Sequence, residues 1–165
     1  MDIIELFIDE EDNVSGIDAI SIVENPAIQE DFVFLKNQEF KLAELDKEKR
    51  LLLGPALIPN KPIYRKSGEK EYYIYFSRNT VRKASELFLQ RAKQHRSTLE
   101  HESPLNGLTV VESWIVEGEE DKTRLYDMDV PIGTWMVSMK VDNDDVWENY
   151  IKTGKVKGFS IEGYF

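Results

Sequence analysis

Short apolar runs, each ended by a polar, glycine or proline turn, recur along most of this chain. Runs of that kind suit β-strands, because an amphipathic helix needs a longer stretch at 3.6-residue spacing. After Met1, the residues Ile4, Leu6 and Ile8 alternate with Ile3, Glu5, Phe7 and Asp9, which predicts a strand with at least one fully buried face. EDNVSG (11–16) turns the chain, and GIDAISIV (16–23) predicts a second strand. Glu24-Asn25-Pro26 stops it, since proline cannot donate to a sheet ladder. DFVFL (31–35) predicts a third strand, and NQEFKLAELDKEKR (37–50) a charged surface excursion with a brief helix. Further on, PIYR (62–65) and EYYIYFS (71–77) flank the polar KSGEK, a hairpin signal. STLEHES (97–103) predicts a short extended segment, Pro104 to Gly107 a turn, and LTVVESWIVEG (108–118) a long strand. EEDKTRLYDMD (119–129) reads as an exposed acidic loop, with strands again at GTWMVSMKV (133–141) and KVKGFSIEGYF (155–165).

Two segments depart from this pattern. Following Ser77 and Asn79, either of which can cap a helix, Val81, Ala84, Leu87, Phe88 and Ala92 fall at helical spacing on one face. Arg91, Lys93, His95 and Arg96 are then expected in the last turns, where cations complement the helix dipole. DNDDVWENYIKTG (142–154) has acidic caps, apolar Val146, Trp147, Tyr150 and Ile151, and a terminal Gly154. No regular helical crossovers separate the strands, which argues against a doubly wound parallel sheet. The expected fold is therefore mainly β (α+β): a curved antiparallel sheet or β-barrel with two or more peripheral helices. The 165 residues carry no repeat and no long linker, so a single domain over 1–165 is expected.

Composition narrows the chemistry. There is no cysteine, hence no disulfide, no thiolate metal site and no thiol nucleophile. The two histidines are too few for a three-histidine zinc site, and no metal or organic cofactor is expected. With 21 Lys+Arg against 31 Asp+Glu, the net charge of −10 makes nucleic acid a poor partner. No apolar run reaches membrane-spanning length, and the acidic N-terminus does not resemble a signal peptide, so a cytosolic protein without membrane attachment is expected. The last residues, Tyr164-Phe165, lie inside a hydrophobic strand, so the natural chain is expected to be longer or trimmed there.

A serine nucleophile needs a base, and only His95 and His101 carry an imidazole. His95 reads as a surface residue at the end of the helix. His101 reads either as a half-buried strand histidine or as a catalytic base. Ser160 stands in a hydrophobic strand between Gly158 and Gly163, whose lack of a side chain permits close approach of a peptide backbone. Otherwise those glycines are bulges and the hydroxyl bonds to backbone. The context is not the G-x-S-x-G nucleophile elbow, for no strand-to-helix turn follows. Glu112 is a carboxylate in an apolar strand, sharing a face with Val110 and Trp114, where it can partner His101 or sit at an exposed edge. Glu162 shares the face of Ser160 and is a second candidate.

Taken together, GIDAISIVENPAI, ALIPNKPIYR, EYYIYFS and the helix after it, LEH, GLTVVESWIV, GTWMVSMKV and GFSIEGYF resemble, in order and over nearly the whole chain, the XkdF-like serine proteases of tailed phages and prophages. That family is a branch of the prohead proteases, related in fold to the herpesvirus assemblins. The resemblance implies a barrel-like fold of assemblin type and a Ser/His endopeptidase. Such an enzyme would cleave scaffold and major capsid precursors, and itself, inside an assembling procapsid in the bacterial host cytoplasm. Carried over by residue, His101 is the general base and Ser160 the nucleophile. Glu112 is taken as the third member, with Glu162 or a group outside the chain as alternatives. By analogy with assemblins a homodimer is expected. The competing expectation is a non-catalytic capsid-associated assembly protein whose charge suits basic capsid or scaffold surfaces. A small-molecule binding barrel finds no polar constellation to support it.

Overall fold

The computed structural model describes residues 1–28, 33–35 and 49–165. The strands are β1 (Asp2–Leu6), β2 (Gly16–Val23), β3 (Val33–Leu35), β4 (Leu51–Leu57), β5 (Ile63–Ser67), β6 (Lys70–Phe76), β7 (Ser97–Leu99), β8 (Ser103–Leu105), β9 (Leu108–Ile115), β10 (Trp135–Val141) and β11 (Gly158–Tyr164). Helix α1 (Arg78–Gln90) lies between β6 and β7, and a 3-10 turn (Lys122–Tyr126) follows β9. A short α2 (Asp144–Val146) runs into a π turn (Trp147–Ile151) ahead of β11. No helix among the described residues is long and apolar enough to cross a membrane.

The strands form three sheets, ordered β1-β6-β5, β3-β4-β10-β9 and β11-β2-β7-β8. The chain is thus mainly β, as its patterning predicts, but the sheets are not closed into a barrel. Nor are they wholly antiparallel, because β1 joins β6 and β2 joins β7 in parallel. Each sheet ends in edge strands, so the closure that removes edges from a barrel does not occur among the described residues.

One apolar cluster links β2, β4, β10, β11 and α1 through buried Ile20, Ile22, Leu57, Phe88, Trp135 and Phe159. Ser77 caps α1, its Oγ accepting from the Thr80 N–H at 3.3 Å. Val81, Ala84 and Phe88 are fully buried, and Phe88 meets Trp135 edge-on with ring centroids 5.4 Å apart. The helix ends earlier than its periodicity suggests, at Gln90, with Ala92 at φ 56°. The basic residues expected in its last turn therefore act beyond it. Arg91 donates to the Ser15 carbonyl and to the Asp12 carbonyl, and Lys93 and Arg96 reach Asp18 at 2.9 and 3.2 Å. His95 Nδ1 lies 3.0 Å from Thr109 Oγ1, clear of the helix.

Several features differ in detail from what the sequence patterning suggests. The N-terminal strand has no fully buried face: Ile3 is 64% exposed on one face and Ile4 39% on the other, because β1 is an edge strand against β6 alone. LLLGPAL forms β4 despite its Gly54-Pro55 pair, with Ala56 as an extra residue opposite Trp135 and Met136. The expected helix over 142–154 is only one short turn continued by the π turn. The acidic loop is partly internal, since Thr123 is fully buried. Of the charged excursion at 37–50, residues 37–48 lie outside the described residues, as do Asp31 and Phe32 of the third predicted strand.

Candidate active site

Two separated pieces of sequence, β11 and the β7–β8 hairpin, are brought onto one sheet by β2. Ser160 pairs with Ser21 across the antiparallel β11–β2 ladder, and Ser21 pairs with Thr98 across the parallel β2–β7 ladder. Paired residues project to the same face, and Glu162 shares the face of Ser160 by the two-residue period. Ser160, Ser21, Thr98 and Glu162 consequently form a polar row. Their neighbours Phe159, Ile20 and Ile22 are buried in the core behind.

His101 enters this row from a tight turn. Glu100 and His101 both have positive φ, 53° and 59°, and the Glu102 N–H donates to the Leu99 carbonyl at 3.0 Å. That is the geometry of a type I′ hairpin, which normally selects Gly, Asn or Asp. Two residues with Cβ atoms are held there by bonds to and from β2 and its exit. The Glu100 N–H donates to the Ile22 carbonyl at 3.0 Å, and the His101 N–H to Ser21 Oγ at 3.0 Å. The Glu24 N–H donates to Glu100 Oε1 at 2.5 Å. Ser21 in turn donates to the Thr98 carbonyl at 3.2 Å. The backbone of His101 is thereby fixed to the side chain of the residue that faces Ser160.

The imidazole is held at one nitrogen. His101 Nδ1 lies 2.8 Å from Glu162 Oε1, which also accepts from Thr98 Oγ1 at 2.7 Å. An ionised carboxylate only accepts, so with a neutral imidazole this contact puts the proton on Nδ1 and leaves Nε2 with a lone pair. The pair is partly wet, with side-chain exposures of 42% for His101 and 28% for Glu162. Among the described residues Ser160 makes no side-chain hydrogen bond. It is 8% exposed and lines a cleft of about 590 Å³ between β11 and the β1-β6-β5 sheet.

Glu112 lies elsewhere. It stands on β9 in a different sheet, opposite Ser138. Its carboxylate accepts from Ser138 Oγ at 2.8 Å and from Lys122 Nζ. The Lys122 ammonium holds this carboxyl below its ordinary range, with Ser138 assisting and partial burial opposing. The expectation that Glu112 shares a face with Val110 also fails, because Val111 is an extra residue in the β9–β10 ladder. The bulge turns Val111 outward, at 51% exposed, and reverses the alternation beyond it. Val110 stays in the main core, while Trp114 packs on a separate cluster of Leu53, Val116, Val130 and Met136.

Ser21, Thr98 and Glu100 complete the site and were not singled out by the sequence. A lone serine in the apolar run ISIV is the one local signal that could have pointed to Ser21.

Residues 40–165 match the model of a family of phage serine proteases. No curated protein and no solved structure matches the chain. The matched region holds β4 to β11 and with them Ser160, Glu162, Thr98 and His101. The chain belongs to that family, described as putative phage serine protease XkdF.

Proposed function

We propose that this chain is a serine endopeptidase of phage head maturation, with Ser160 as nucleophile, His101 as general base and Glu162 as the carboxylate that orients it. The observation that carries the reading is the Glu162–His101 bond at 2.8 Å on the sheet face that also bears Ser160. With Nδ1 engaged, Nε2 is the atom that takes the Ser160 hydroxyl proton as Oγ attacks a peptide carbonyl. His101 then protonates the leaving amine, the C–N bond breaks, and an acyl-enzyme forms on Ser160. A water deprotonated by the same nitrogen attacks that ester and frees Ser160. Glu162 stabilises the imidazolium present in both transition states. Glu112, engaged by Lys122 and Ser138, has no part in this scheme.

The substrates we propose are the scaffold and major capsid precursors, and the protease itself, cleaved within the procapsid in the host cytoplasm. Ser160→Ala and His101→Ala in the assembling system test this. Scaffold processing should stop in both while shells still form, and processing at the wild-type rate in either variant would refute the assignment. A second reading, an assembly protein without catalysis, is favoured by the lack of a hydrogen bond between Ser160 and His101 among the described residues. Catalytic bonds of this kind commonly tighten only when substrate binds. On the second reading both alanine variants mature heads normally.

A further inference from the structure

Glu162 meets His101 only by reaching across a whole strand. Neighbouring strands lie about 4.8 Å apart, so β7 stands about 10 Å from β11, with β2 between them. Glu162 pairs with Ala19 and Ser160 with Ser21, which puts Ala19 and Ser21 on the face that carries both. These two small residues leave room for the Glu162 side chain to lie across β2. At its end, Oε1 accepts from Thr98 Oγ1 at 2.7 Å and lies 2.8 Å from His101 Nδ1.

Both bonds fall on one carboxylate oxygen, and the two donors differ in how firmly they are held. His101 hangs from the turn after β7 and is exposed. Thr98 is half-buried within β7, paired with Ser21 of β2 on one side and with Pro104 of β8 on the other. Its carbonyl accepts from Ser21 Oγ at 3.2 Å, and its β-branched side chain is stiff at χ1. An ionised carboxylate only accepts, so the Thr98 hydroxyl donates to Glu162 whichever protons the imidazole carries. A glutamate has three rotatable bonds to immobilise. Bonded to an exposed imidazole alone, its carboxylate would turn readily to water. The hydroxyl on the rigid strand is what opposes that rotation.

We propose that Thr98 is a positioning residue: its hydroxyl holds Glu162 Oε1 against His101 Nδ1 and so fixes which imidazole nitrogen carries the proton. The proposal rests on the Ser160–His101 reading only for its effect on rate. Thr98→Val deletes the hydroxyl, keeps the branched shape and leaves the backbone carbonyl to which Ser21 donates. Thr98→Ser keeps the hydroxyl. In the full chain, single-turnover acylation by an activated ester should slow about tenfold in Thr98→Val and stay within about threefold of wild type in Thr98→Ser. In a Glu162→Ala background, Thr98→Val should change the rate by less than about twofold, because no carboxylate is left to hold. A residue that merely supports the fold would slow both backgrounds equally. Nitrogen chemical shifts of His101 at about pH 8.5, where an ordinary imidazole is neutral, read the same contact without catalysis. The Nδ1-protonated form should predominate in wild type and Thr98→Ser, and give way to the Nε2-protonated form in Thr98→Val and Glu162→Ala. An unchanged tautomer in Thr98→Val, equal slowing in both backgrounds, or a Thr98→Ser variant as impaired as Thr98→Val would overturn the proposal. Fluorophosphonate labelling of the wild-type chain separates the two ideas. Labelled Ser160 with an unchanged tautomer in Thr98→Val leaves the nucleophile standing and removes the role of Thr98, whereas unlabelled Ser160 with a shifted tautomer does the reverse.

Discussion

Replacing Glu162 by glutamine isolates the charge that the site places beside His101. The side chain keeps its length, and an amide oxygen can still accept from Thr98 Oγ1, now 2.7 Å from Glu162 Oε1. What is lost is the attraction between carboxylate and imidazolium. At the observed 2.8 Å, Coulomb's law puts this at about 1.5 kcal/mol in water and about 6 kcal/mol at an effective permittivity of about 20. With His101 42% and Glu162 28% exposed, solvent screens the pair substantially, and about 3 kcal/mol is the reasonable middle. Each 1.36 kcal/mol is tenfold in rate, so acylation of Ser160 should slow by about a hundredfold. Single-turnover reaction with an activated ester measures that step without knowledge of the natural cleavage site. The fold should survive, with Tm within about 4 °C of wild type. Glu112→Gln serves as the matched control and should leave acylation within about threefold. Nitrogen chemical shifts of His101 give an independent check, since the wild type should show Nδ1 protonated and Nε2 bare. If Glu162→Gln acylates at close to the wild-type rate, or Glu112→Gln slows it equally, the carboxylate assignment is wrong.

Three further outcomes are expected. Ser21→Ala removes both the acceptor for the His101 N–H and the donor to the Thr98 carbonyl at a fully buried position, and should cost about 1–3 kcal/mol in urea unfolding while slowing acylation; unchanged acylation would mean that this anchor does not position His101. Gly163→Ala would bring a Cβ to 2.2 Å from the Gly16 carbonyl oxygen, backbone against backbone, so a loss of about 1–3 kcal/mol or more is expected and a change under about 0.5 kcal/mol would show that β11 and β2 can separate freely. Asp18 is held below its ordinary carboxylate range, first by its bond from Lys93 and further by Arg96, with burial opposing. A depressed folded value means stabilisation present above the unfolded pKa of about 3.9 and lost as pH falls from there through the folded value. Asp18→Asn should therefore lower stability by up to about 1 kcal/mol at pH 7 and converge with wild type at the acid end; a gap that persists there would refute the ion-pair account.

Local periodicity made much of the architecture legible. The short apolar run GIDAISIV, bounded by a glycine turn and Pro26, marks β2 residue for residue, the polar KSGEK marks the β5–β6 hairpin, and the spacing of Val81, Ala84 and Phe88 marks the buried face of α1. These signals are local because a two-residue or 3.6-residue period states which face of one element is apolar. Bulges and turns escaped for the opposite reason. Nothing in TVVESW indicates that Val111 is the extra residue, since a bulge is defined by the partner strand. Glu100 and His101 lack the Gly, Asn or Asp that would announce a type I′ turn, and their conformation is held by bonds to β2 and Glu24, far away in sequence.

By itself, then, the sequence determined that no thiol takes part and that any imidazole base must be His95 or His101, because cysteine is absent and only two histidines exist. It also determined that Glu162 and Ser160 share a face, because strand geometry has a period of two. Which carboxylate meets His101 was decided only by the tertiary structure. That contact depends on β2 pairing with β11 on one side and β7 on the other, in registers set by packing between distant segments. A carboxylate in an apolar strand looks equally suitable at 112 and at 162 until those registers place one beside Lys122 and the other beside His101.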